Sequence, residues 1–208
     1  MLAGAFEYAI KIQPMRGAGQ DRAGVFERHD GGILVALADG AGGTSNGEIA
    51  AQAVVDTAQM LAGSDADWAS ILHALDRDTQ RLQGGQSTAI VLVLADTGRV
   101  HGASVGDSEA WVVHADTRIE ALTASQTRKP LLGSGAQFTP TVDSALGDAT
   151  LLVASDGLFR NAKPMDIARI AAGADLAAAA ERLVDLVRTD IGNVLDDVSI
   201  VLVRRLVV

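Results

Sequence analysis

The 208-residue sequence contains no cysteine, which excludes disulfides, thiolate zinc sites and cysteine nucleophiles. Proline is scarce, with four residues, and neither an interdomain linker nor an internal repeat stands out. No stretch approaches about 18 consecutive apolar residues, so no membrane span is expected. The opening MLAGAFEYAIKI lacks a basic region and meets Glu7 before an apolar run develops. It does not read as a signal peptide, and a cytoplasmic location is expected. Basic charge is short as well: 17 Lys+Arg stand against 26 Asp+Glu, a formal net charge of −9. A nucleic-acid partner or an anionic membrane surface would call for the opposite balance. Four histidines, at 29, 73, 101 and 114, show no ligand spacing. The P-loop, dinucleotide-binding, nucleophile-elbow and zincin motifs are all missing.

What the chain does have is aspartate, 20 residues against 6 glutamates. Aspartate is a poor helix and strand former and collects at turns, caps and strand ends, where catalytic and metal-binding groups also sit. A hydrophobic content of 48% with 21% charged residues indicates one folded domain over 1–208, long enough to bury a full core.

Periodicity predicts strands over Phe6–Ile12, Gly24–Arg28, Ile33–Ala38, Ser87–Leu94, Arg99–Val105, Ala110–His114, Leu151–Ala154 and Val198–Leu206. Helices are expected over Asn46–Leu61 and Asp67–Leu82. Two more should follow Ala154, the second keeping Leu176, Ala180, Leu183, Val187 and Ile191 on one face. Strands in adjacent pairs with helix pairs between them imply an α+β fold of mostly antiparallel sheets covered by helices.

Three apolar strands run into an acid: ILVALA into Asp39-Gly40, HGASVG into Asp107, and LLVAS into Asp156-Gly157. Asp196-Asp197 instead opens the last strand. Antiparallel pairing places the start of one strand beside the ends of its neighbours, so these acids could gather at one edge of the core. One such acid is most simply a turn residue, whereas four on the most apolar strands point to a site. Clustered carboxylates need compensation. With no soft ligands available, the fitting partner is a hard cation, Mg²⁺ or Mn²⁺. Gly40-Ala41-Gly42-Gly43 would let backbone approach a ligand closely. Arg16-Gly17-Ala18-Gly19-Gln20-Asp21 offers an arginine suited to gripping phosphate.

The ordered set resembles the metal-dependent Ser/Thr protein phosphatases of type 2C. Arg16…Gln20-Asp21 is similar to that family's R-x-x-x-E-D. Asp39-Gly40-Ala41-Gly42-Gly43…Gly47-Glu48-Ile49-Ala50 is similar to D-G-x-x-G…G-E-x-A. Gln86-Ser87-Thr88-Ala89, Val105-Gly106-Asp107-Ser108, Ala154-Ser155-Asp156-Gly157-Leu158 and Asp196-Asp197-Val198-Ser199 resemble its remaining blocks in order. The resemblance implies a four-layer α-β-β-α sandwich that hydrolyses phosphoserine and phosphothreonine in proteins by attack of a water held between two Mg²⁺ or Mn²⁺ ions. It assigns Asp39 as the bridge between the ions and the Gly40 carbonyl to one of them. Asp156 and Asp196 belong to the other, and Asp21 acts through water. Asp107 shares a third, weaker site with Asp156, and Arg16 holds the phosphoryl oxygens. Implied partners are phosphorylated proteins, a Ser/Thr kinase or its targets. Three departures stand out: Gln20 replaces a glutamate, Ala41 stands where some members carry histidine, and the segment Thr123–Thr150 is short. They motivate an alternative, a weakly active or inactive regulatory module that binds metals or phosphoproteins on the same fold.

Overall fold

A computed structural model describes residues 1–42 and 46–206. In chain order the strands are β1 (Leu2–Ala3), β2 (Phe6–Gln13), β3 (Arg22–Glu27), β4 (Ile33–Ala38), β5 (Ala89–Leu94), β6 (Arg99–Val105), β7 (Glu109–Val113), β8 (Ile119–Ala121), β9 (Thr139–Pro140), β10 (Ser144–Ala145), β11 (Thr150–Ala154) and β12 (Val198–Arg205). The helices are α1 (Gly47–Leu61), α2 (Trp68–Arg81), α3 (Asp156–Phe159), α4 (Pro164–Ala171) and α5 (Leu176–Leu186). One sheet has the order β1-β2-β12-β11-β7-β8, the other β10-β6-β5-β4-β3, with β9 also paired to β6. All these pairings are antiparallel.

Period-2 alternation sorts each strand between two cores. On β4, Ile33, Val35 and Leu37 face the other sheet, where they join Ile90, Leu92, Leu151, Val153, Val201 and Val203 in the central core. The intervening Leu34, Ala36 and Ala38 pack with Val54 and Leu72 of α1 and α2. On the opposite sheet Leu152, Ala154, Ile200 and Leu202 pack with Ile167 and Leu183 of α4 and α5. The result is the expected four-layer α-β-β-α sandwich. Because both faces of β4, β5 and β11 are covered, they read as unbroken apolar runs rather than alternating ones.

Aspartates start two of the helices. Asp67 accepts a hydrogen bond from the Ala69 amide at the head of α2, and Asp175 from the Ala178 amide at the head of α5, satisfying donors that an uncapped helix leaves orphaned. One expectation needs correction. Helix α5 ends at Leu186, leaving Ile191 outside it and 82% exposed. The short segment Thr123–Thr150 carries the strands β9 and β10. Gly43 lies outside the described residues. Among them, no helix is long and apolar enough to cross a membrane.

Candidate metal centre

Antiparallel register brings the loops of both sheets to one end of the sandwich. Arg22 at the start of β3 pairs with Ala38 at the end of β4, so Asp21 and Asp39 are neighbours. Val198 pairs with Gln13 and Ile200 with Ala154. Asp196-Asp197 therefore lies beside Asp156 and beside the loop that carries Arg16. Val105 ends β6 opposite Ala89, which brings Asp107 to the same end.

Backbone contacts hold these turns. The Asp39 amide donates to Thr88 Oγ1 (2.9 Å) and its carbonyl accepts from the Thr88 amide (2.9 Å). Thr88 Oγ1 in turn lies 2.8 Å from Ser108 Oγ, tying the β4 and β6 ends together. Gly40 sits where a Cβ would fall 2.6 Å from the Gly47 carbonyl carbon and 2.9 Å from Gln20 Cβ, so only glycine fits. The Asp197 carboxylate accepts hydrogen bonds from the Met15 amide (2.7 Å) and the Gln20 amide (2.6 Å), clamping both ends of the Arg16 loop. Gly157 packs directly on the Asp197 carbonyl, 2.1 Å from where a Cβ would be.

The electrostatics are those of a site built around positive charge from elsewhere. Asp21 is 1% exposed. The hydroxyls of Ser155 and Ser199 face it, yet neither carboxylate oxygen has a partner of ordinary hydrogen-bond geometry. Burial pushes its pKa up to about 6, against the opposing influence of those hydroxyls. Asp39 is pushed up to about 10, first by burial and then by the charges of Asp21 and Asp156, with Asp196 adding to them. Asp156, buried at the start of α3, is raised by burial and by Asp107, and Arg160 opposes the rise.

These groups line a cleft of about 690 Å³ whose walls include Arg16, Gln20, Asp39, Gly40, Asp107, Lys129, Asp156, Arg160, Asp196 and Asp197. Asp21 lies beneath it rather than in its wall. Arg16 and Asp196 are exposed at its surface, and Thr123–Thr150 contributes Lys129 and Leu131. Gln20 Nε2 donates to Glu48 Oε2 (3.2 Å), so this departure from the family pattern is absorbed by a contact to α1.

Sequence reasoning missed Arg160, which bridges Asp107 (2.7 Å) and Asp156 (2.5 Å). Its available signal was the spacing Asp156–Arg160, one helical turn on a chain entering α3. The clamping role of Asp197 had no signal of its own.

The residues suit hard divalent ions. The donors are carboxylate oxygens with a closely approached backbone turn, and the two Asp21 oxygens are buried without a partner of ordinary hydrogen-bond geometry. Among the described residues, no three acidic or histidine side chains already converge tightly enough to hold an ion. Two of the acids are drawn onto Arg160 instead.

The family profile described as Stage II sporulation protein E (SpoIIE) matches residues 29–206. The chain belongs to the SpoIIE family. Its fold is shared with a bacterial serine phosphatase at a TM-score of 0.80 and 21% identity, covering 96% of this chain and 98% of that one. The serine/threonine phosphatase Stp1 from Staphylococcus aureus gives a TM-score of 0.78 at 21% identity, covering 96% and 94% of the two chains. The Mycobacterium tuberculosis serine/threonine phosphatase PstP/Ppp gives 0.76 at 20%, covering 96% and 98%. No curated protein matches this sequence. The SpoIIE match and these neighbours agree with the type 2C resemblance and its four-layer architecture.

Proposed function

We propose that this SpoIIE-family chain is a single type 2C-like phosphatase domain that hydrolyses phosphoserine and phosphothreonine in proteins with Mg²⁺ or Mn²⁺ bound. The observation that carries the reading is the cluster itself. Asp39 is raised by burial and then by the charges of Asp21 and Asp156, Asp156 by burial and then by Asp107, and the buried oxygens of Asp21 have no partner of ordinary hydrogen-bond geometry. Unpaired clustered carboxylates cost folding energy, and a cation-binding role accounts for their retention. The three structural neighbours described above, serine or serine/threonine phosphatases, point the same way.

In this reading Asp39 and the Gly40 carbonyl, with Asp156 and Asp196, would hold two ions, and the buried Asp21 would act on them through water. When bound, the ions supply an activated water and screen the phosphate's charge. Arg16 stands at the rim, where its planar fork can grip phosphoryl oxygens bidentately. Asp197 keeps that arginine's loop in place through two amides. Ala41 has no side-chain proton donor, so protonation of the leaving serine or threonine oxygen falls to water or to another group. Substrates would be phosphoproteins made by a Ser/Thr kinase, in the cytoplasm.

Release of phosphate from an aryl phosphate should require Mn²⁺ or Mg²⁺ and fall at least 100-fold in Asp39→Asn, a scale typical of losing one charge-stabilising group. Undiminished activity in that variant would refute the assignment. A phosphopeptide panel set against phosphosugars would then test the substrate class.

A further inference from the structure

The acids at this end of the sandwich divide into two groups. Asp21, Asp39 and Asp196 make no ion pair with any described residue. Asp107 and Asp156 share one guanidinium: Arg160 Nη2 lies 2.7 Å from Asp107 Oδ2 and Arg160 Nη1 lies 2.5 Å from Asp156 Oδ2. We propose that Arg160 is a resident cation that occupies the position between Asp107 and Asp156 and keeps a third divalent ion out of it.

The placement is a product of local geometry. Arg160 closes the turn that Asp156 opens, with its amide donating to the Asp156 carbonyl (2.9 Å). Residues four apart on a helical turn share a face, so the side chain returns over Asp156 and reaches Asp107 at the end of β6. A guanidinium suits this role. It is charged at every working pH, and its fixed fork presents separate nitrogens to two carboxylates. A lysine would offer one point charge. Arg160 supplies one positive charge to Asp107 and to one oxygen of Asp156; the other Asp156 oxygen, with Asp39 and Asp196, remains available to the two ions of the proposed phosphatase. The inference rests on that reading.

The test is metal occupancy. Crystals of the wild type, Arg160→Ala and Arg160→Met soaked in Mn²⁺ would be examined for anomalous peaks, with calorimetric stoichiometry in solution as the second measure. The wild type should show ions at Asp39 and no peak between Asp107 and Asp156. Both variants should gain one Mn²⁺ there. Arg160 has a largely exposed side chain, so neither change should disturb folding. A peak between Asp107 and Asp156 in the wild type, with the arginine swung away, would overturn the inference alone. So would two variants that gain no ion while Asp39 stays occupied. No Mn²⁺ in any of the three proteins would overturn the metal reading and this inference with it.

Discussion

Replacing Asp39 by asparagine should make the metal-free protein more stable, and increasingly so as pH rises. In the fold its pKa is pushed up to about 10 from an ordinary 3.8, by burial and by the acids around it. Between those values the folded chain keeps a proton that the unfolded chain releases. The native state therefore binds more protons than the unfolded state, and stability falls with increasing pH. Each unit costs about 1.4 kcal/mol, so from pH 5 to pH 8 the loss reaches about 4 kcal/mol at most. Asp39 is only partly buried, and water screening reduces the effect to about 2 kcal/mol. At roughly 2–4 °C per kcal/mol for a chain of this length, that corresponds to about 4–8 °C in Tm. Asparagine has the same shape and no charge to lose, so its stability should not follow this slope. The assay is thermal unfolding followed by circular dichroism, in chelator, at pH 5 and pH 8. The gap in favour of Asp39→Asn should widen by the stated amount. Adding Mn²⁺ should then reverse the order, because an ion that binds only the native wild type at a hundredfold over its Kd contributes about 2.7 kcal/mol. A gap of equal size at both pH values, or a variant that melts below the wild type at pH 8 in chelator, would refute the reasoning.

Asp197→Ala removes the acceptor for the Met15 and Gln20 amides. Two unsatisfied donors should cost about 1–3 kcal/mol, and freeing the Arg16 loop should raise KM for an aryl phosphate more than it lowers kcat. An unchanged KM would argue against the clamp. Gly157→Ala places a Cβ 2.1 Å from the Asp197 carbonyl oxygen, so it should destabilise by about 1–3 kcal/mol. A melting temperature equal to wild type would show that the two turns can separate without cost. Asp76 is buried under the loop before β9 and accepts from the Gly133, Gly135 and Ala136 amides. Asp76→Ala should lower the melting temperature by several degrees, about 1–3 kcal/mol, and hydrogen exchange should speed up at those three amides.

Most of the secondary structure was legible because it depends on local repetition. The strands expected at Ile33–Ala38 and Arg99–Val105 have those same bounds; the first is covered on both faces and shows itself as an uninterrupted apolar run. The acids that end these runs were equally visible, and their order along the chain was enough to suggest a family. The aspartate excess could be counted but not apportioned. Asp67 and Asp175 turned out to be helix caps, and Asp76 and Asp197 loop anchors. Asp21 is the most deeply buried member of the cluster. Each of these outcomes depends on what lies opposite in space, and a one-dimensional pattern carries no such distance. Ile191 shows the same limit from the other side: its spacing suits a helical face, but the helix ends before reaching it. The sequence by itself determined the layers and the acids at the ends of the strands. Only the tertiary structure decided which of those acids are neutralised by the protein and which are left facing one another. That choice rests on Arg160 reaching two carboxylates from different parts of the fold, because ion pairing depends on separations of a few ångströms that strand register and helix packing create.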